Sequence, residues 1–346
     1  MVTGVGGGGH GMQIVKALRL GRQPYRIIGT DLSPVSFGRT LVDDLAVLPR
    51  ADDPHYIPAL LQLCLDKSVR VLFHGSEPEL HAISRSRDHF EKAGIVLPLN
   101  PQQVIETCSD KVRLARTLEQ LGFRIPRYIH ATCLDDLSDF DYFPAVLKPS
   151  ICGGGSADVY LAQSREELLA AALQLLTMHK EFIVQEYVGT PDSEYTVGVL
   201  TNADGAIVNS IAVHRMLGSA LSTRLKAPNR TERTELGPIL MISSGVSQGY
   251  VDRFPEVTGP CERIASALGV RGTVNIQCRY VNGRVVTFEI NPRFSGTTSV
   301  RALVGYNEPD MIIRERLLGQ APEPRFPYRS GYVLRELSEA FLAGDD

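Results

Sequence analysis

Phe288-Glu289-Ile290-Asn291-Pro292-Arg293 reads as the end of a β-strand. Alternate residues of a strand share a face, so Glu289, Asn291 and Arg293 point together while Ile290 points the other way. A carboxylate and an amide oxygen are hard ligands suited to Mg²⁺. An arginine beside them can receive a phosphate, or the charge developing on a transferred phosphoryl group. A solvated strand end that alternates by chance is the plainer alternative. The neighbouring hairpin argues against it, because Val274–Tyr280 and Val285–Ile290 flank an Asn282-Gly283 turn.

Gln277 on the partner strand would add a third oxygen, and the register decides whether it can. A two-residue Asn282-Gly283 turn pairs Cys278 with Thr287 and Ile276 with Glu289, which puts Gln277 on the wrong face. An odd-length loop or a bulge restores the parity. If Gln277 is a ligand, the hairpin must contain one or the other.

Upstream, Ala145-Val146-Leu147-Lys148-Pro149 is an apolar strand ending in a lysine with a desolvated stem. It runs into Cys152-Gly153-Gly154-Gly155-Ser156, whose successive glycines allow backbone N–H groups to close over phosphates. The loop lacks the G-x-x-x-x-G-K-[ST] order, so it is not a P-loop, and a flexible hairpin is its plainer reading. Around it the pattern predicts a helix over 110–121 with Ser109 as N-cap, and a strand over 158–161. A capping box at Ser164 and Glu167 opens a helix to about His179, and a strand follows over 182–186. Beyond lie the strands 194–200 and 206–214 and a helix over 259–268. Leu217–Gly249 shows little periodicity and reads as a long functional loop, with a surface excursion as the alternative.

The first hundred residues alternate strand-like runs (2–5, 25–31, 69–73, 95–97) with amphipathic helices (13–20, 56–66, 78–92), which argues for a parallel sheet. Gly4-Val5-Gly6-Gly7-Gly8-Gly9 fits G-x-G-x-x-G, with Asp31 ending the next strand, so a nicotinamide-dependent oxidoreductase is the competing reading. Any tight strand-to-helix turn favours glycine, however, and nothing later in the chain resembles a hydride-transfer site.

Composition narrows the partners. The formal net charge is −3 over 346 residues, without a basic patch for nucleic acid. The best apolar run, Leu168–Met178, contains Gln174 and is too short to cross a bilayer. The six cysteines show no Cys-x-x-Cys spacing, which suggests neither zinc nor disulfides but reduced thiols and a cytoplasmic protein.

Together these elements resemble the ATP-grasp family, closest to its carbamoyl-phosphate-synthetase-like branch, in order and spacing over residues 2–325. The resemblance implies an α/β protein with an α+β lid and C-terminal unit. Its parts are a Rossmann-like pre-ATP-grasp domain (1–107), a linking helix (108–124), a lid (125–186), a C-terminal subdomain with the metal site (187–325) and a tail (326–346). By resemblance ATP is held by Lys111, Lys148, the lid loop Gly153-Gly154-Gly155-Ser156, the adenine hinge Gln185-Glu186-Tyr187-Val188 and the ribose acid Glu194. Gln277, Glu289 and Asn291 bind Mg²⁺, or Mn²⁺, while Arg293 and Lys148 act in catalysis. Ser295, Gly296, Thr297, Thr298 and Arg301 are candidates for a substrate carboxylate, with a helix-start turn and a surface arginine as the alternative. His214, Arg215, Arg224 and Lys226, in or beside the long loop, have no counterpart.

The implied activity is an ATP-dependent carboxylate–amine or ammonia ligase working through an acyl-phosphate, with release of ADP and phosphate. The family's full-length synthetase carries two ATP-grasp halves, and this chain has room for one. Activation of bicarbonate or carbamate stays open, as does a nucleotide-binding subunit without turnover. The expected partners are small-molecule carboxylates and amines, not nucleic acid or membrane, with a homodimer left open.

Overall fold

The computed structural model describes residues 1–7, 9–151 and 158–342. The N-terminal unit contains α1 (His10–Arg19), β1 (Ile28–Asp31), β2 (Asp44–Val47), α2 (Tyr56–Asp66), α3 (Glu77–Arg85) and α4 (Arg87–Lys92). The helix expected over 78–92 is thus two, parted at Ser86. β1 and β2 pair in parallel, and Val2 bridges in parallel to both Gly29 and Phe73. Val71 bridges in parallel to Val96. The order across the sheet is therefore β2, β1, the segment at Val2, the segment at 71–73, and Val96. The chain's first segment lies in the middle and the winding reverses beside it, between Val2 and Phe73, where an α/β sheet opens a crevice at its carboxyl ends. Gly75 is required there, since a Cβ on it would lie 1.9 Å from the Thr3 carbonyl oxygen.

Two helices follow, α5 (Gln102–Ser109) and α6 (Lys111–Gln120). The expected cap is off by one residue. Ser109 ends α5, and Asp110 caps α6 by accepting from the Val112 and Arg113 N–H groups at 3.0 Å each. Next come β3 (Tyr128–Ala131), β4 (Ala145–Pro149), β5 (Tyr160–Ala162), α7 (Arg165–Met178) and β6 (Phe182–Glu186). They form an antiparallel sheet in the order β3-β6-β4-β5, with a core that includes Leu147, Leu168 and Phe182. Ser164 caps α7 through the Glu167 N–H, as the capping box predicts.

The remainder comprises β7 (Glu194–Thr201), β8 (Ile207–Arg215), β9 (Thr223–Pro228), β10 (Ile239–Ser243), β11 (Gly249–Asp252), α8 (Pro255–Leu268), β12 (Thr273–Val281), β13 (Arg284–Asn291), α9 (Thr298–Leu303), α10 (Glu308–Leu318) and β14 (Gly331–Val333). Six strands make an antiparallel sheet in the order β13-β12-β7-β8-β11-β14. Val257, Cys261 and Ile264 of α8 pack on one face. Val300 of α9 and Met311 and Ile312 of α10 share a second core with Ile14 of α1, joining this unit to the N-terminal sheet. Two expectations change. The segment 217–249 is a hairpin, β9 against β10, closed where Asn229 donates to the Arg233 and Gly237 carbonyls. The supposed tail contributes the edge strand β14, and Phe326 before it is buried.

The β12–β13 hairpin resolves the parity question. Asn282 and Gly283 both have positive φ (49° and 74°), as a tight two-residue turn demands. Val281 pairs with Arg284 and Cys278 with Thr287, then the register shifts, so that Gln277 opposes Glu289 and Asn275 opposes Asn291. Phe288 is the extra residue of a β-bulge, which turns Gln277 and Glu289 to one face. Among the described residues no helix is long and apolar enough to cross a membrane.

Candidate functional site

Glu289, Asn291 and Gln277 converge as the bulge requires. Asn291 Nδ2 donates to Glu289 Oε1 at 2.9 Å, and Gln277 Nε2 donates to the same oxygen at 3.2 Å. Burial pushes the Glu289 carboxyl up, but Lys148, Lys111, the Asn291 amide and Arg293 outweigh it and hold the group below its usual range. Glu289 is therefore ionised at neutral pH. Lys148 ends β4 almost wholly buried, and its Nζ donates to the Phe288 carbonyl at 3.1 Å, so the bulge also anchors the lysine. Arg293 Nη2 bonds Glu77 Oε1 at 2.5 Å and Asn291 Oδ1 at 2.9 Å.

The donor set suits a hard cation. The two amides turn N–H groups onto one carboxylate oxygen, and a half-turn of each presents its oxygen instead. Among the described residues no three His, Cys, Asp or Glu side chains cluster as a metal site. A Mg²⁺ ion here would rest on one carboxylate, two amides and phosphate oxygens, which suits that ion.

Two cavities meet at this hairpin. The first lies between β4–β6 and the six-stranded sheet, and its lining includes Val146, Lys148, Gln185–Val188, Glu194, Phe288 and Met241–Ser243 of β10. Tyr187 hydroxyl donates to the Met241 carbonyl and accepts from the Met241 N–H, fixing β10 as a wall. Glu186 lines the cavity with its carboxylate bonded to Arg233, 2.8 Å away. Glu194 faces the same cavity, but its two oxygens are held by Arg215 at 3.0 Å and by Arg279 at 3.0 Å, all three side chains being nearly inaccessible. Arg279 also binds the Val188 and Gly189 carbonyls and lies 4.4 Å from the Tyr187 ring centre.

The second cavity, about 320 Å³, runs from Lys111, Lys148 and Glu289 past Arg215, Asn275 and Arg293 to Ser295, Gly296 and Thr297. It reaches Gly9, His10, Gly75, Ser76 and Glu77 at the reversal point of the N-terminal sheet.

Two candidates fall away from it. Arg301 is fully inaccessible, paired with Glu308 at 3.3 Å and bonded to Asn275 Oδ1 at 2.5 Å. Thr298 is equally buried and spends its hydroxyl on the Ser295 N–H. Both belong to the core beneath the site. Gly153–Ser156 lies outside the described residues. Asp31 does not reach either cavity: its carboxylate bonds the Leu32 N–H at 2.9 Å and sits where a side chain on Gly6 would be, 2.4 Å from an added Cβ.

Sequence reasoning missed the β10 wall, Arg279, His10 and Glu77. The period-two alternation of Thr223–Pro228 (Leu225 and Ala227 against Arg224 and Lys226) was the available signal for the hairpin. Arg279, two residues from Gln277 on β12, shares its strand face.

Residues 243–340 match the family model described as ATP-grasp in the biosynthetic pathway with Ter operon, and residues 3–98 match the PylC-like N-terminal domain. The chain carries an ATP-grasp domain, and it is homologous to carbamoyl phosphate synthase large chains. One such relative is the arginine-specific large chain of Bacillus subtilis (strain 168), 24% identical over 235 residues, or 67% of this chain and 21% of that protein. The chain thus spans about a fifth of the length of that curated relative. Among solved structures, the ADP complex of an N5-carboxyaminoimidazole ribonucleotide synthetase superposes with a TM-score of 0.63 at 15% identity, covering 87% of this chain and 73% of that one. An L-amino acid ligase from Bacillus licheniformis gives 0.60 at 18% identity, covering 88% and 70%. These likenesses establish the fold.

Proposed function

We propose that the protein is an ATP-dependent ligase that converts a substrate carboxylate to an acyl-phosphate and passes it to a nitrogen nucleophile. The observation that carries this reading is the meeting of Lys111, Lys148 and Arg293 with an ionised Glu289 and two amides in one cavity. That is a set of fixed charges for phosphoryl transfer, where catalysis is mostly positioning and electrostatics.

In this reading the adenine lies against the main chain of Glu186–Val188 and the Met241 wall, and the ribose near Glu194. The Glu186 and Tyr187 N–H groups bond the Arg127 and Pro144 carbonyls, and the Val188 carbonyl is engaged by Arg279, so the Val188 N–H is the hinge donor offered to the base. Lys111 and Lys148 hold phosphates. Glu289, Asn291 and Gln277 would hold Mg²⁺, which neutralises phosphate charge when bound; Mn²⁺ suits the same oxygens. The substrate carboxylate attacks the γ-phosphorus, ADP leaves, and Arg293 stabilises the transferred phosphoryl group. The nitrogen then attacks the activated carbonyl and expels phosphate. The Gly296 N–H and the hydroxyl pair of Ser295 and Thr297, which bond each other at 2.6 Å, face the carboxylate substrate. The lid, residues 125–186, closes to exclude water from the mixed anhydride.

The test is a panel of carboxylates with ATP, Mg²⁺ and hydroxylamine. The expected result is a hydroxamate formed in step with ADP. AMP with pyrophosphate, or a stable phosphate ester, overturns the mechanism. A second reading, activation of bicarbonate, is favoured by the homology to carbamoyl phosphate synthase. Incorporation of labelled bicarbonate with ADP release, and no dependence on any other carboxylate, would select it.

A further inference from the structure

The second cavity ends on a pair of histidines that the proposed reaction has not yet used. His10 opens α1 directly after the glycine turn. His74 follows the segment at 71–73. The two strands they follow are the ones between which the sheet's winding reverses. His10 Nε2 lies 3.1 Å from His74 Nδ1, with the rings edge-on at 5.0 Å. Both are nearly inaccessible, yet His10 lines the cavity together with Glu77 and Arg293. His74 Nε2 is buried without a well-formed hydrogen bond, the Ser76 main chain being close enough to raise the ring's basicity.

We propose that His10 is the base that takes the proton from the attacking nitrogen, with His74 as its positioning residue. This rests on the ligase reading above. If His10 presents Nδ1 to the substrate, its Nε2–H donates to His74 Nδ1, and that bond fixes the reactive tautomer. The nitrogen lone pair attacks the acyl carbon and the carbonyl-carbon–oxygen bond to phosphorus breaks. Phosphate leaves with the electron pair. The N–H proton passes to His10 Nδ1 and from there to the departing phosphate or to water.

Burial, Arg293 and His74 lower His10 well below its ordinary value, and burial, Arg293 and His81 bring His74 down to about 3. Both rings are therefore neutral at pH 7, and His10 is a weak base while the charge of Arg293 stands beside it. Glu77, paired with Arg293 at 2.5 Å, is the nearby acid on this wall. A phosphoryl group bound at Arg293 offsets the charge that depresses His10, so its basicity rises when the intermediate is present.

The experiment compares two nucleophiles in wild type, His10→Asn and His74→Asn, using whichever carboxylate of the panel releases ADP. Hydroxylamine is unprotonated at neutral pH and needs little help. Ammonia and amino acids attack only as free amines, and their more basic nitrogen keeps its proton after attack until a base removes it. His10→Asn should lower both activities, with a loss about tenfold or more greater for ammonia or amino acids than for hydroxylamine. The acid limb of the pH–rate profile for ammonia, taken per free NH3, reports protonation of His10, and it should disappear in His10→Asn and shift in His74→Asn. Equal losses on both nucleophiles overturn the inference while leaving the ligase reading in place. Wild type without hydroxamate or ADP overturns the ligase reading, and the role of His10 with it. Should His10→Asn melt early, His10→Gln supplies the same comparison with a longer amide.

Discussion

Glu289→Gln will keep its fold and lose ADP formation by about 10²–10³-fold, the range seen when one fixed electrostatic group is removed from a transition state. The substitution keeps the shape of the side chain, and the new amide can still accept from Asn291 and Gln277. What disappears is the one negative charge facing Lys148 and Lys111, both of which pull Glu289 below its ordinary range. With Gln the protein's donor set becomes wholly neutral, and the phosphates supply the only anionic oxygens for Mg²⁺. Steady-state ADP release across a Mg²⁺ titration should show a lower ceiling and a higher metal requirement, with an unchanged melting curve. Near-normal ADP formation at low Mg²⁺ would remove Glu289 from the site.

The largest effect on stability is expected from Glu308→Ala. Arg301 and Glu308 are both completely inaccessible. Removing the carboxylate leaves a buried guanidinium facing Gly198, where even an added Cβ would lie 2.4 Å from Arg301 Nη1. Breaking such a pair costs about 3–5 kcal/mol. Chemical denaturation should register that loss, and the double variant Arg301→Met with Glu308→Leu should recover most of it. Arg301 also bonds Asn275 Oδ1, and Asn275 lines the second cavity, so the single variant should lose activity along with stability. A stability change below about 1 kcal/mol with selective loss of carboxylate affinity would return Arg301 to the role first expected of it.

Much of this was legible because local chemistry and fold agree. The Glu289–Asn291–Arg293 alternation, the Asn282-Gly283 turn and the Ser164 capping box are each read from adjacent residues. The bulge at Phe288 was legible only as a condition, since parity says a bulge or an odd loop is needed without saying which. Other features were not local. Arg301 looks like a surface arginine until Glu308, Asn275 and Gly198 close around it. Glu194 meets Arg215 and Arg279 only through the pairing of β7 with β8 and β12. His10 and His74 are 64 residues apart and meet only because the parallel sheet sets their two strands side by side.

Arg215 ties the walls of the two cavities together. One nitrogen binds Glu194 and Ser243, and the other binds the Ser244 and Val246 carbonyls. Glu194 and Ser243 line the first cavity, and Ser244 and Arg215 line the second. A nucleotide ribose that draws on Glu194 therefore alters what holds Arg215, and with it the far wall. Thermodynamic linkage makes such coupling reciprocal: whatever factor ATP applies to carboxylate affinity, the carboxylate must apply to ATP. Calorimetric titration of a non-hydrolysable ATP analogue with and without the carboxylate should show equal factors in both directions. Arg215→Lys, which cannot bridge four partners from a planar fork, should bring both toward one.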